Sequence, residues 1–424
     1  MPSSSVYAID FGTSNSLVSY VRPGDQSKLL KIDNDHDDPF TMRSLMYFPH
    51  EKGEASFGHS AIQNYIKEDG HGRFIRSIKK FLPATTFKAT QIQGKLYSLE
   101  DIIGRFLTEI KTRADQITGE DVKSVMLGRP ARFSDDDKKD ETAQKRLHMA
   151  ALQAGFENIS FCPEPLAAAL DYQQQIQTPK RVLVVDLGGG TSDFTVIELK
   201  PGKLDVIETL GLGGISVAGD TLDGTLMTKH IGPYFGTKVQ YKLPMSNNVI
   251  NMPPSLQKKL MSPADITLMS QTDIFRFVQE VQQSAVRPKD KEMLENLFTL
   301  VEDNLGFALY EEIERVKKQV CINKKDQFQF TKSGLDITQN ITYEGFIECN
   351  TKNFKGIFES MNSVLQNSGL KTEDIDTIFT TGGTSNIPYI QSYLSDMFGP
   401  EKLHHQEAFH SVIKGLSVKA REKQ

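Results

Sequence analysis

A strand that ends at a carboxylate and turns on glycine occurs twice in this chain, and the repetition constrains the fold more than any other feature. "VYAIDFGTSNSLVSYV" carries an apolar run to Asp10, turns through Gly12-Thr13-Ser14-Asn15, and resumes an apolar run. "LVVDLGGGTSDFTVIE" does the same at Asp186, Gly188-Gly189-Gly190 and Thr191-Ser192-Asp193. Each reads as a β-hairpin opening an α/β half. Two similar halves facing one another would leave a cleft with one hairpin tip on each side. Glycine, lacking Cβ, lets backbone N–H groups face an anion closely, and the Thr and Ser hydroxyls add donors. A carboxylate beside phosphate is repulsive unless a cation such as Mg²⁺ bridges them. One such hairpin alone is more often a structural turn. Two matched copies, each with Asp and hydroxyls, point to phosphate binding.

The rest of the chain alternates in the same way. "DIIGRFLTEIKTRADQI" places Ile103, Phe106, Ile110, Ala114 and Ile117 on one helical face, and "KSVMLGRP" is a short buried strand stopped by Pro130. "KDETAQKRLHMAALQAG" predicts a helix capped at Gly155, and "PLAAALDY" starts another. "GFALYEEIERVKKQV" aligns Leu309, Ile313, Val316 and Val320, and "QEAFHSVIKGLSVKA" reads as a final helix. "DTIFTTGGTSNIPYIQSYLSDMF" reads strand, glycine turn, helix; in a nucleotide protein this turn would admit the adenosine part. Between Asp223 and Glu314 the pattern weakens. There "PMSNNVINMPPSLQKKLMSPAD" predicts a surface insertion followed by some helix. With 424 residues the chain exceeds one core and implies two or more domains.

A net charge of −5 argues against a general nucleic-acid binder. Cys162, Cys321 and Cys349 are too few and too scattered for a disulfide framework or a zinc pattern, which fits a reducing compartment. His404, His405 and His410 have no Cys or carboxylate set to complete a metal site. The acidic runs 35–38 and 135–137 read as solvated loops. "MPSSSVYAIDF" lacks the build of a signal peptide, and no apolar run reaches membrane-span length. The expectation is a cytoplasmic protein with no membrane partner.

These motifs resemble those of the DnaK-type heat-shock chaperones. "AIDFGTSNSLVSY" and "VVDLGGGTSDFTVI" resemble their two phosphate motifs, "PEPLAAALDY" the first connecting motif and "IFTTGGTSNIPYIQ" the adenosine motif. "ERVKKQVC" sits where the family has its purine helix, and the chain is most similar to the stand-alone bacterial YegD-type members. The resemblance implies an α/β protein of the actin-like ATPase (ribonuclease H-like) fold. Its two lobes would each have a mixed β-sheet flanked by helices, with the nucleotide cleft between them. Lobe I would span 1–177, completed by a C-terminal helix in 400–424. Lobe II would span 178–399, with an insertion at about 240–300.

The same resemblance implies residue roles. Asp10, Asp186 and Glu164 lie near a hydrated Mg²⁺, the two aspartates as its closest protein groups. Thr13, Ser14, Asn15, Gly188, Gly189, Gly190 and Thr191 contact the phosphates. Lys79 in "SIKKFLP" lies beside the γ-phosphate, and Thr191 and Asp193 orient the attacking water or take its proton. Gly214 and Gly219 approach the ribose. Glu314, Lys317, Lys318 and Cys321 surround the adenosine, and Gly382, Gly383, Thr384 and Asn386 complete its pocket. The implied activity is slow Mg-dependent ATP hydrolysis acting as a chaperone-like switch, with ATP/ADP and Mg²⁺ as cofactors.

The chain departs from the family at several positions. Cys321 stands where the family usually has serine, and Lys318 and Asn386 stand where it has arginines that stack on adenine. Pro130 matches the family's switch proline, with His148 at the place of its partner arginine and Arg146 two positions away. The chain ends soon after the last ATPase helix, so no C-terminal peptide-binding domain is expected within it. The insertion is a candidate docking site for a protein partner, or else surface decoration. Two alternatives share the fold: an actin-like filament or scaffold protein, and a small-molecule kinase. Asp193 and Lys79 favour the chaperone branch over filaments, and no spare general base marks a kinase substrate pocket.

Overall fold

In the first hairpin, alternate side chains enter different cores. β1 (Val6–Phe11) sends Tyr7, Ile9 and Phe11 to one face of its sheet and Ala8 to the other, all fully buried. It pairs antiparallel with β2 (Asn15–Val21) and parallel with β3 (Ser124–Arg129), which in turn pairs parallel with β4 (Asn158–Pro163). The strand Lys28–Leu29 lies antiparallel outside β2.

The second hairpin, β5 (Lys180–Leu187) and β6 (Ser192–Leu199), heads a second sheet of the same plan. Here β7 (Glu208–Ile215) lies antiparallel outside β6, β8 (Thr377–Thr381) parallel beside β5, and Leu403–His404 parallel beyond β8. The repeat seen in the hairpins therefore extends to strand order. Strands covered on both faces need nearly continuous apolar runs; Val182, Leu183, Val184 and Val185 supply one and are all buried.

The computed structural model describes residues 5–68, 70–134, 136–173, 176–201, 208–243, 248–261, 272–404 and 411–422. The chain divides into two compact units. The first comprises Met1–Ile66, Gly72–Ala218 and Gly356–Gln424, and the second Lys67–His71 and Gly219–Lys355. Both hairpin sheets belong to the first unit.

Outside the first sheet lie α1 (Leu99–Thr118) and α2 (Asp137–Gln153). Ser98 and Asp101 close a reciprocal capping box at the start of α1, and Gly119, at φ 72°, ends it. Ile103, Phe106, Ile110 and Ala114 are buried as expected, but Ile117 is 45% exposed. The next inward position, one turn beyond Ala114, is Thr118, whose hydroxyl is 2.9 Å from the Tyr7 hydroxyl. Ile117 is thereby rotated to solvent.

A second core joins the two sheets. α3 (Glu164–Gln173) brings Ala167, Ala168 and Ala169 to it, and a C-terminal helix, Ser411–Glu422, brings Val412, Ile413 and Leu416. They pack with Ala8 and Met126 of one sheet and Val182, Val184 and Phe379 of the other. The expected final helix starts at Ser411; residues 406–410 of its predicted span lie outside the described residues.

The longer segment of the second unit begins with α4 (Gly219–Leu226) and contains α5 (Gly306–Asn323) followed by the hairpin Lys325–Lys332 and Leu335–Thr342. The segment expected to be a surface insertion forms a short hairpin, Gln240–Lys242 with Val249–Asn251, and the helices Pro254–Leu260, Thr272–Gln283 and Pro288–Glu302. It contributes core rather than decoration alone: Met252, Leu256, Leu260, Val278, Val281, Leu294, Leu297 and Leu300 are buried. Its apolar residues are spread thinly among polar ones, which hides their helical spacing until they are folded together. Residues 244–247 and 262–271 lie outside the described residues. Of the acidic runs, Asp35, Asp37, Asp136 and Asp137 are exposed, Asp38 is half-buried and accepts from Thr41, and Asp135 lies outside the described residues. No helix among the described residues is long and apolar enough to cross a membrane.

Candidate functional site

The two hairpin tips close with the same bond. The Gly12 amide donates to the Asn15 carbonyl at 3.0 Å, and the Gly188 amide to the Thr191 carbonyl at 3.1 Å. Each aspartate is the penultimate residue of its strand, Asp10 in β1 and Asp186 in β5. Each turn is buttressed from outside through its first glycine carbonyl. Gly12 accepts from the Ser44 hydroxyl at 2.8 Å, and Gly188 from the Thr384 hydroxyl at 2.8 Å. Thr13 and Asn15 are half-buried, while Ser14 is exposed. In the second turn Gly188 and Gly189 are half-buried and Gly190 is buried.

Lys79 comes from a separate element. Ser77, buried and left-handed at φ 55°, precedes a short 3₁₀ turn, Ile78–Phe81, that projects Lys79. Glu164 opens α3 directly after β4. Its Oε1 accepts from Lys79 Nζ at 2.8 Å, and both residues are buried. Burial alone would lower the lysine, but Glu164, Asp10 and Asp186 outweigh it and hold the ammonium above its ordinary value. The acids respond in the opposite sense. Burial, reinforced by Glu164 and partly offset by Lys79, pushes Asp10 up to about 7. Burial with Glu164, Asp193 and Asp10 raises Asp186 well above the usual carboxylate range. Asp10, Asp186, Glu164 and Lys79 thus form one electrostatic cluster with more acid than base.

Asp193 sits directly across from Asp186 in the β5–β6 register and accepts from the Thr191 hydroxyl at 2.7 Å. Gly214 pairs with Asp193 across β6 and β7. A Cβ at Gly214 would lie 2.7 Å from Asp193 Oδ1, so the missing side chain makes room for that carboxylate. The third glycine turn packs against the second tip. Gly382, at φ 79°, approaches so closely that a Cβ would lie 2.3 Å from the Leu187 carbonyl. Gly383–Asn386 form a 3₁₀ turn in which Thr384 is buried and Gly383 and Asn386 are exposed. That turn leads into the helix Pro388–Phe398.

In the second unit, Gly219 is buried at the start of α4. Glu314, Lys317, Lys318 and Cys321 follow one face of α5 at helical spacing. Lys318 bonds Glu314 at 2.8 Å, while Lys317 is held at 2.8 Å by Asp223, a buried carboxylate of α4. Burial pushes Asp223 up to about 6 despite that lysine, and burial also raises the Cys321 thiol. His404 is exposed at a sheet edge, its ring beside Tyr172 and Phe379; His405 and His410 lie outside the described residues.

Sequence reasoning missed Ser44 and Asp223. Ser44 is a lone serine in "TMRSLMYF" with no local signal. Asp223 is an acid inside an otherwise apolar helical face, which is the signal that could have found it.

Duplicated Asp–Gly turns with a buried lysine–glutamate pair beside them define a site of the phosphate-binding type. The family model described as Hsp70 protein matches residues 6–309 and 300–421. The chain therefore belongs to the Hsp70 family, and it has that family's actin-like ATPase fold. It is similar to the chaperone protein DnaK of Thermosipho melanesiensis, 25% identical over 416 residues. That alignment covers 98% of this chain and 59% of the relative. It is also similar to the chaperone protein DnaK of Thermosipho africanus, 24% identical, with 98% of this chain and 58% of the relative covered. The chain thus spans less than two thirds of the length of these curated relatives.

Proposed function

We propose that this chain is a slow, Mg²⁺-dependent ATP hydrolase whose nucleotide-driven closure acts as a chaperone-like switch. The observation that carries the reading is the charge cluster of Asp10, Asp186, Glu164 and Lys79 beside the two matched glycine turns. Two aspartates held far above their ordinary range constitute a site short of positive charge. The donors are all oxygens, the preference of a hard cation. Among the described residues, no three His, Cys, Asp or Glu side chains converge to hold an ion by themselves. That fits Mg²⁺, which keeps several waters and shares its shell with phosphate oxygens. When bound, Mg²⁺ would neutralise phosphate charge, with Asp10 and Asp186 as its closest protein groups and Glu164 nearby.

The chain's own groups supply the rest. Backbone amides and hydroxyls of Thr13, Ser14, Asn15 and 188–191 bind phosphate oxygens. Lys79 stabilises charge as it builds on the transferred phosphoryl group, where positioning and electrostatics do most of the catalytic work. Asp193, oriented by Thr191, takes the proton of the attacking water. On the first unit Gly214, Gly382, Gly383, Thr384 and Asn386 are the proposed adenosine residues, and on the second unit Gly219, Glu314, Lys317, Lys318 and Cys321 are. The switch would work by moving lobe I (1–177, with the C-terminal helix) against lobe II (178–399), in the cytoplasm. The segment at about 240–300 is the proposed docking surface for a protein partner.

Calorimetric titration of ADP and ATP with and without Mg²⁺, paired with a phosphate-release assay, tests this. Metal-dependent uptake with slow release is expected. Failure to take up adenine nucleotide in the presence of the metal would overturn the proposal.

A further inference from the structure

Lys79 has to hold a fixed place, yet it stands on a single 3₁₀ turn entered through a non-glycine residue in the left-handed region. Such a conformation costs about 1–2 kcal/mol and persists only where its surroundings enforce it. The segment after the turn, 82–87, belongs to no helix or strand. What grips it is Arg146, in the middle of α2.

The Arg146 guanidinium is partly buried, with 14% of the side chain exposed. Its Nη1 donates toward the carbonyls of Phe81, Leu82 and Ala84 at 3.4, 3.0 and 2.9 Å, and Nη2 donates to Phe87 at 3.1 Å. Its Nε donates to Glu100, in the first turn of α1, at 3.1 Å. The path to the active lysine is short. Arg146 bonds the Leu82 carbonyl, and the Leu82 amide bonds the Lys79 carbonyl at 3.2 Å.

We propose that Arg146 is a positioning residue for Lys79. Its planar fork gathers the carbonyls of 81–87 and locks the turn that carries the ammonium against Glu164. This rests on the ATP-hydrolase reading and assigns to that reaction a residue that touches neither nucleotide nor metal. Lysine cannot replace arginine here, because a point charge with three rotating donors does not span four carbonyls and a carboxylate in one plane. The lock also ties α1 and α2 to the turn, so movement of either helix is transmitted to Lys79.

The test compares wild type with Arg146→Lys and Arg146→Ala in three measurements: single-turnover phosphate release, ADP affinity and amide hydrogen exchange. Displacements of about 1 Å at a catalytic group cost up to ~100-fold in rate. Arg146→Lys should therefore slow release by about 10- to 100-fold, leave ADP affinity within about twofold, and speed exchange at 80–87 before other segments. Wild-type release in Arg146→Lys overturns the proposal. So does loss of ADP binding in step with release, which marks a merely structural role. Arg146→Ala should show the same split with a larger loss of stability. A wild-type protein that binds no nucleotide sinks the underlying reading instead, and the exchange comparison alone then decides whether Arg146 locks the turn.

Discussion

At the first hairpin tip Asp10 faces Leu17 across the strand pair; at the second, Asp186 faces Asp193. The closing bonds match, and so do the external hydroxyl props from Ser44 and Thr384. The differences lie in what the turns carry. A Cβ on Gly12 would lie 2.3 Å from the Asn15 carbonyl, whereas on Gly188 it would lie 3.8 Å from the Thr191 carbonyl. Ser14 occupies the position that Gly190 takes in the second turn. A Cβ on Gly190 would lie 2.3 Å from Lys80 Cε, so that lysine's stem runs across the second tip. A duplicated scaffold thus presents one tight turn with one carboxylate, and one looser turn with two carboxylates and a hydroxyl partner. On the proposed mechanism, the first tip only holds charge while the second also moves a proton.

The sharpest way to break that contrast is at Asp193. Asp193→Asn should lower phosphate release by about 10²–10⁴-fold with ADP affinity unchanged, the usual scale for a positioned base. At the matching place in the first tip, Leu17→Ala should cost about 2–5 kcal/mol in stability and spare turnover per folded molecule. Full turnover in Asp193→Asn would make the two tips functionally equal. Lys79 serves both tips, so Lys79→Ala should reduce release by about 10²–10³-fold while ADP still binds. Loss of binding without loss of turnover per bound nucleotide would remove its assigned role.

The pH dependence of the metal-free protein gives a third test. Asp10 titrates near 7 in the folded chain against an ordinary value of 3.8. The folded state therefore holds that proton more tightly than the unfolded state. Its stabilising contribution is complete below the ordinary value and is lost as pH rises toward about 7. Thermal melts of wild type should fall over that window, and Asp10→Asn should flatten part of the fall, leaving the share due to Asp186. Identical slopes in both proteins would contradict the charge-deficient cluster. The smallest effect is expected at the turns themselves. Gly12→Ala should cost about 1–3 kcal/mol by overpacking against backbone, and Gly188→Ala no more than about 0.5 kcal/mol. Denaturant melts giving equal costs would mean the turns are equally tight.

Both hairpins, α1, α2, α5 and the glycine turn before Pro388 were legible because each depends on local rules: alternation, helical spacing, caps and glycine. The matched position of the two aspartates was legible for the same reason. The 240–300 segment reads as surface because its apolar residues are scattered among polar ones, and they are buried only once its helices fold against distant neighbours such as Gly236, which meets Leu294, and Tyr310, whose hydroxyl bonds the Leu260 carbonyl. The resemblance assigns Gly214 to the ribose side, and its pairing with Asp193 across β6 and β7 is visible only in the fold.

From the sequence alone came the duplicated Asp–Gly turns, the resemblance that they carry, and the residue types able to handle a phosphate, since each is a property of a short stretch. Tertiary structure alone decided that Lys79 meets Glu164, that Ser44 and Thr384 prop the two tips, that Asp223 holds Lys317, and that Arg146 grips the turn bearing Lys79. The reason is distance along the chain. Those partners are separated by tens to hundreds of residues, and a hydrogen bond or a shifted pKa depends on where two groups are brought together, which no local pattern encodes.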